Sequence, residues 1–326
     1  MKVLIVKTSS MGDVLHTLPA LTDAVIKYPN IRFDWIVEEN FVEIPNWHDA
    51  VNLVIPVAIR RWRKNWLGKT ARQQIAFFHS RLKQRSYDAV IDAQGLLKSS
   101  FFITRLVSGV THCYNWKSSR EPLASLFCDY CYSVNKKQHA VERIRQLFAD
   151  SLYYAKPTII GDYGILQYFL PLTYEKENYP YVIFFHSTTR KEKHWPESYW
   201  RELINFLQIK AIKIKLPWGT SLEYQRAVSL ANGFNNVEVL PKLSLAKLAK
   251  IIIMAKAIVS VDTGLSHLAA ALNKSNITLY GPTKPHLIGV YGGAAQQIII
   301  SSDGKMSTIK PHDVYQHLIL KINNKY

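Results

Sequence analysis

The chain has 326 residues, 48% of them hydrophobic and 20% charged, a length that calls for two domains and a composition that excludes extended disorder. The formal net charge is +17, and the excess is local: between Ala50 and Tyr87 there is no Asp or Glu, while Arg60, Arg61, Arg63, Lys64, Lys69, Arg72, Arg81, Lys83 and Arg85 all fall there. A block of one sign repels itself, so the choice lies between a solvated basic helix face and a surface for nucleic acid, anionic lipid or a polyanionic substrate.

In chain order, short β-branched runs alternate with helical periodicities, the pattern of βαβ units and parallel sheets. Residues 3–6 are expected as a buried first strand. A polar loop over 7–13 and a helix running to Lys27 follow. Strands are expected at 33–37, 54–57 and 89–93, and helices at 70–84 and 140–152. Pro157, Gly161, Gly164, Pro171 and Pro180 then break the pattern, which marks an interdomain linker. The alternation resumes with strands at 181–185, 212–216, 237–240, 257–261 and 277–280. Between them lie helices at 197–207, 222–231, 244–255 and 266–272. A helix over 314–322 closes the chain. The fold class is α/β, two Rossmann-like halves in tandem, which places ligands at the carboxyl ends of the strands, facing a cleft between domains.

Residues 1–20 lack the apolar run of a leader, being interrupted by Lys7, Asp13 and His16. No apolar stretch approaches the ~20 residues of a spanning helix. The expectation is a soluble, cytoplasmic protein that meets any membrane from the side. Cys113, Cys128 and Cys131 form neither a disulfide framework nor, with a single C-x-x-C, a complete zinc site, and are expected as free thiols.

Four constellations carry chemistry. The loop Lys7-Thr8-Ser9-Ser10-Met11-Gly12-Asp13 sits where an α/β fold keeps its ligand. With one glycine it is not a dinucleotide fingerprint. Asp13 is either a helix cap or a general base, and the loop alone leaves both open. After the strand at 181–185, His186 to Pro196 supply hydroxyls and then cations, a phosphate-binding mixture. Ser260-Val261-Asp262-Thr263-Gly264-Leu265-Ser266-His267 reads as strand, tight turn and helix, whose first amides face an anion. Pro217-Trp218-Gly219 precedes Glu223, a candidate for ribose hydroxyls that a helix first turn would favour anyway. There is no Asp-x-Asp pair and no cluster with metal-ligand spacing, so neither metal nor cofactor is expected.

Together these residues resemble the ADP-heptose:lipopolysaccharide heptosyltransferases over nearly the whole chain. The resemblance rests on VLIVKTSSMGDVLHTLPAL, PVAIRRWRK, YDAVIDAQGLLKS, REPLASLF, QHAVER, TTRKEKHWPESYWREL, IKLPWG, VSVDTGLSHLAAAL and ITLYGPT. PVAIRRWRK and REPLASLF are similar to the branch that adds the first heptose; the alternative is a branch acting on an already heptosylated core. The resemblance implies a GT-B fold with an acceptor domain at 1–155, a linker at 156–180 and a nucleotide-sugar domain at 181–310. A helix at 311–326 would pack back on the first domain. It also implies metal-independent, inverting transfer of heptose from ADP-heptose to the Kdo of Kdo2-lipid A, at the cytoplasmic face of the inner membrane, by peripheral contact and without nucleic acid.

Asp13 matches the family's catalytic base and Lys193 the cation that stabilises the departing ADP. Thr188, Thr189, Glu223, Asp262, Thr263, Gly264 and His267 match its donor-contact positions. Leu243 stands where the family places Met against the adenine. On the acceptor side fall Ser10, Gly12, Arg60, Arg61, Arg63, Lys64, Arg120, His139 and Arg143. Two readings from other classes remain: a nicotinamide-dependent oxidoreductase, which wants a full glycine fingerprint, and a nucleic-acid binder, which lacks a reader motif here.

Overall fold

The computed structural model describes residues 1–64, 68–170 and 179–323, Lys98 by its backbone alone. The chain divides into two units, Met1–Tyr168 and Phe169–Tyr326.

The first unit comprises strands β1 (Lys2–Val6), β2 (Arg32–Glu38), β3 (Val51–Val57), β4 (Ser86–Asp92), β5 (Ser108–Tyr114) and β6 (Tyr130–Tyr132). Its helices are α1 (Met11–Leu15), α2 (Leu18–Lys27), α3 (Ile59–Trp62), α4 (Lys69–Lys83), α5 (Leu97–Phe102) and α6 (Ala140–Ser151). The short α7 (Leu166–Phe169) lies at the division. The six strands form one parallel sheet in the order β3-β2-β1-β4-β5-β6. Val3 to Val6 of β1 are fully buried, as a strand covered on both faces requires. The expected single helix up to Lys27 is two, because Pro19 opens a fresh helix after the turn at His16 and Thr17. β5 and β6 are not among the strands expected from the sequence. Their Ser, Thr, His and Cys dilute the apolar signal, although both lie in the sheet.

The second unit repeats the plan. Its strands are β7 (Tyr181–Phe185), β8 (Lys213–Leu216), β9 (Val237–Val239), β10 (Ala257–Val261), β11 (Asn276–Tyr280) and β12 (Gln296–Ile300). They pair in parallel in the order β12-β11-β10-β7-β8-β9, which is the first unit's order read from the other edge. Helices α8 (Glu197–Ile209), α9 (Ser221–Ala231), α10 (Leu245–Met254), α11 (Gly264–Ala271), α12 (Pro285–Ile288) and α13 (Pro311–Asn323) accompany them. Trp195 and Trp200 meet edge to face at 4.9 Å in this core, and the Trp195 indole donates to the Ile309 carbonyl.

Two stretches fall at the expected domain boundaries. Residues 156–168, within the expected linker, belong to the first unit. The buried Arg145 of α6 pairs with Asp23 at 2.6 Å and donates to the carbonyls of Pro157 and Ile159. Gly164, at φ +67°, brings the backbone so close to Thr22 and His48 that a Cβ would lie 2.7 Å from a side-chain oxygen. Residues 171–178 of the expected linker lie outside the described residues, as do 324–326. The closing helix, expected to pack back on the first domain, carries Val314 and Leu318 fully buried in the second unit's core. Among the described residues no helix is long and apolar enough to cross a membrane.

Candidate functional site

In both sheets the strand order reverses beside the first strand of the unit, between β1 and β4 and between β7 and β10. Such a switch point opens a crevice at the carboxyl ends of the strands, because the two flanking connections leave on opposite faces. Asp13 follows β1, Lys193 follows β7 and Asp262 to Gly264 follow β10, at these two places, while Arg60 to Lys64, Glu223 and Leu243 follow β3, β8 and β9.

In the first unit, Ser10 caps α1 and Asp13 stands in its first turn. The Ser10 amide and hydroxyl both donate to Asp13 Oδ2, at 2.8 and 2.9 Å. Ser10 thus holds the cap position that Asp13 was a candidate for; one oxygen of Asp13 serves the helix start, and its side chain is still 41% exposed. Beneath it lies Lys7, almost fully buried, whose Nζ donates to the Ala93 carbonyl and lies 3.9 Å from Asp13 Oδ1. Burial pushes the Lys7 ammonium below its ordinary pKa, while the carboxylates of Asp13 and Asp92 oppose that shift. Asp92, wholly buried at the end of β4, accepts from the amides of Gln94 and Gly95 and the hydroxyls of Ser99, Ser100 and Thr104. Burial raises its pKa and these donors counter the rise. The Gln94 side-chain oxygen accepts from the amides of Thr8 and Ser9, which ties the loop after β1 to the loop after β4. Asp92 and Gln94 were not singled out from the sequence, and Lys7 only as part of its loop, because what they do depends on strands paired across 86 positions.

The predicted acceptor-side residues line the same sheet edge. Glu121 N donates to Gly95 O, which brings Arg120, after β5, to the β4 loop. Arg143 of α6 donates to Ser118 O, and its guanidinium lies 5.4 Å from the Tyr114 ring centre. Charges on Arg143 and Arg120 both reach Lys7, so the two arginines share its neighbourhood. His139 caps α6 through Nδ1 and meets the His16 ring edge to face at 5.4 Å. Gly12 lies in the first turn of α1, where its carbonyl accepts from His16 N. The basic run begins where β3 ends. Arg60 N donates to Glu38 at the end of β2, and Arg63 and Lys64 are exposed. Arg61 differs, being paired with Glu39 through two contacts of 3.1 Å and with Gln74. Its charge is therefore largely answered within the protein. The thiols of Cys113 and Cys131, paired across β5 and β6, lie 3.7 Å apart, joined by a hydrogen bond and not by a disulfide. Burial and the neighbouring thiol push Cys131 up to about 12, which leaves little nucleophilic thiolate.

In the second unit, the turns after β7 and β10 meet. Lys193 Nζ donates to Asp262 Oδ2 at 2.6 Å, and both side chains are largely buried. Thr188 Oγ1 donates to the Asp262 carbonyl and Thr283 Oγ1 to its Oδ2. Thr283, in the turn after β11, was another residue not singled out. Thr263 caps α11 and Gly264 opens it, so the first amides of the helix lie beside the Lys193–Asp262 pair. His267 is buried one turn further on. Thr189 is exposed beside Thr188. Glu223 follows β8 and accepts from the amides of Gly219 and Thr220, so it closes the start of α9. Leu243, half-buried, follows β9 and immediately precedes the cap of α10, Ser244. This second edge combines a fixed ammonium, hydroxyls and a helix N-terminus, a set suited to a diphosphate.

The chain is similar to known proteins over nearly its whole length. Residues 75–319 match the family described as glycosyltransferase family 9 (heptosyltransferase). The lipopolysaccharide heptosyltransferase 1 of Escherichia coli O18:K1:H7 is 55% identical, over 98% of this chain and 97% of its own. The structure of E. coli heptosyltransferase WaaC with ADP superposes with a TM-score of 0.94 at 54% identity, covering 98% of this chain and all of the other. The same enzyme with ADP-2-deoxy-2-fluoro heptose gives 0.90 at 53% identity, over 98% and 99% of the two chains.

Proposed function

The chain belongs to glycosyltransferase family 9, the heptosyltransferases, and on that premise we propose that it moves L-glycero-D-manno-heptose from ADP-heptose to the Kdo of Kdo2-lipid A. The observation that carries the donor half is the convergence of Lys193, Thr188 and Thr283 on Asp262 beside the head of α11. It occurs in a chain whose fold matches a heptosyltransferase holding ADP and one holding a fluorinated ADP-heptose.

The residue types supply the steps. Asp13 takes the proton of the Kdo hydroxyl as that oxygen attacks the anomeric carbon. The bond to ADP breaks in the same displacement, and the configuration inverts. A positioned base of this kind contributes about 10²–10⁴-fold. Lys193 and the amides at Gly264 offset the charge that grows on the leaving diphosphate, with no metal required. Thr188, Thr189, Glu223, Leu243, Asp262, Thr263 and His267 hold the nucleotide sugar. Arg60, Arg63, Lys64, Arg120 and Arg143, with Ser10, Gly12 and His139, hold the anionic acceptor; Arg61, tied to Glu39, contributes less. The acceptor is a lipid, so the protein works at the cytoplasmic face of the inner membrane by peripheral contact.

The test is direct. The enzyme is incubated with ADP-heptose and Kdo2-lipid A, with and without chelator, and the product is weighed by mass spectrometry. One added heptose in both arms supports the reading. Addition only to an already heptosylated acceptor would move the protein to the second-heptose branch, and loss of activity with chelator would overturn the metal-free mechanism.

A further inference from the structure

We propose that an apolar face built by α5 and the 3₁₀ turn Pro122–Phe127 seats the protein on an anionic lipid surface. This rests on the reading above, in that the acceptor is carried by a lipid. It places the contact on a part of the first unit separate from the basic run at Arg60–Lys64.

The face is exposed and apolar. Phe102 is 55% exposed, Leu126 69% and Leu123 49%, and Phe101 and Leu97 stand out beside them. The Phe101 ring lies 5.1 Å from that of Phe102 and 5.6 Å from that of Phe127, which joins the helix to the turn. A contiguous patch of this kind on a soluble domain marks a contact surface, whereas scattered apolar residues would not.

Charge selects the partner. From Ala93 to Arg120 the chain has no Asp or Glu. The Arg105 guanidinium lies over the Phe101 ring at 4.6 Å, and Lys117 and Arg120 are exposed at the same end of the sheet. Glu121 borders the patch, but its carboxylate accepts from Leu97 N at 2.6 Å and caps the start of α5. Aromatic and leucine side chains flanked by cations fit the interface of a bilayer with negative headgroups: the apolar groups enter the acyl boundary and the cations stay among the phosphates. A second copy of this chain is the poorer occupant, because pairing would bring Arg105, Lys117 and Arg120 against themselves in a protein of net charge +17. The patch also has the right address. It grows from the turns after β4 and β5, whose loops join where Glu121 N and Ser119 Oγ donate to Gly95 O, on the sheet edge that carries Asp13.

The experiment uses the full chain and two kinds of vesicle, phosphatidylcholine alone and phosphatidylcholine with phosphatidylglycerol. The wild type should co-sediment with the anionic vesicles and not with the neutral ones. A double variant, Phe102→Ser with Leu126→Ser, should lose roughly tenfold or more in vesicle partition, since each group gives up much of an apolar side chain's burial. A control at the equally exposed Ile209 of the second unit, Ile209→Ser, should partition as the wild type. With a water-soluble acceptor stripped of its acyl chains, the double variant should turn over normally, which shows that it is folded. With acceptor embedded in anionic vesicles it should be slow. Undiminished vesicle binding by the double variant would overturn the proposal. So would a wild-type dimer in light scattering that the double variant abolishes, because the face would then belong to a second copy. Failure of the wild type to transfer heptose to the soluble acceptor would instead remove the proposed reaction and leave the vesicle result standing.

Discussion

The two units share a strand order, yet they treat charge in opposite ways. The second unit buries its principal cation against a carboxylate: Lys193 and Asp262 are 2.6 Å apart, and hydroxyls from two other turns fix the aspartate. The first unit leaves Arg63, Lys64 and Arg120 exposed and keeps its proposed base half open to solvent. A buried, paired cation has a set position and little freedom to lose on binding, which suits a ligand whose diphosphate is always the same. Exposed cations on flexible stems adapt to a bulky anionic partner, attract it from a distance and are sensitive to salt. One fold, used twice, thus holds a buried, paired cation in one unit and exposed cations in the other.

The largest test of that contrast removes the proposed base. Asp13→Asn should lower kcat by about 10²–10⁴-fold while ADP titration of the second unit stays unchanged. Near-normal turnover would leave Asp13 with its capping role alone. Next comes Lys193→Ala, which should weaken donor binding and reduce kcat together, by on the order of 10²–10³-fold for a lost charge stabiliser. A change confined to acceptor KM would mean that the two units have exchanged their assigned roles.

The units converge in one respect, and pH exposes it. Each buries a neutral histidine: His48, held down to about 4 by burial against the opposing pull of Asp49 and Asp162, and His186, held down to about 3 by burial with Arg226 and His194 adding to it. Below pH 6.5 the unfolded chain takes up protons that the folded histidines refuse. Stability therefore falls as pH drops from 6.5 toward those values, by about 1.4 kcal/mol per pH unit for each group. Urea midpoints at pH 7 and pH 5 should show a loss of about 2 kcal/mol per histidine. His48→Gln should flatten the loss in the first unit only.

The smallest effect concerns the basic run. Arg63→Ser with Lys64→Ser should raise acceptor KM several-fold, by about 1 kcal/mol, and the effect should fade in high salt. Arg61→Ser should do less, because its guanidinium already faces Glu39. An Arg61 effect larger than that of the pair would show that the Glu39 contact opens when acceptor binds.

How much of this was legible in the sequence depended on chain distance. The turns after β7 and β10 are contiguous strings of hydroxyls, cations and glycine, so Thr188, Lys193, Asp262 and Gly264 could be singled out from local order. Lys7 read as a loop cation until β4 supplied Ala93 and Asp92 around it. Gln94 read as an ordinary polar residue until Thr8 and Ser9 reached its oxygen from 86 and 85 positions away. Arg61 stood among equals because its partner Glu39 lies 22 positions earlier, outside the acid-free stretch. The same limit concealed the packing of residues 156–168: Pro and Gly announced a linker, and only Arg145, reaching back to Asp23, shows why it is held down. β12 went unread for a different reason, since Gln296 and Gln297 open a strand whose partners in β11 carry the apolar signal.

The position of α13 in the second core has a consequence for synthesis. Every strand of the first unit has been made once Tyr132 is joined, and its last anchored stretch is complete by Tyr168. The second unit is different: Val182 near its start and Leu318 near its close belong to one buried cluster. While the ribosome is still adding residues 183–310, that cluster lacks a wall, and its apolar strands must wait. The first unit can therefore take shape during translation, whereas the core of the second closes only after residues 311–318 have emerged.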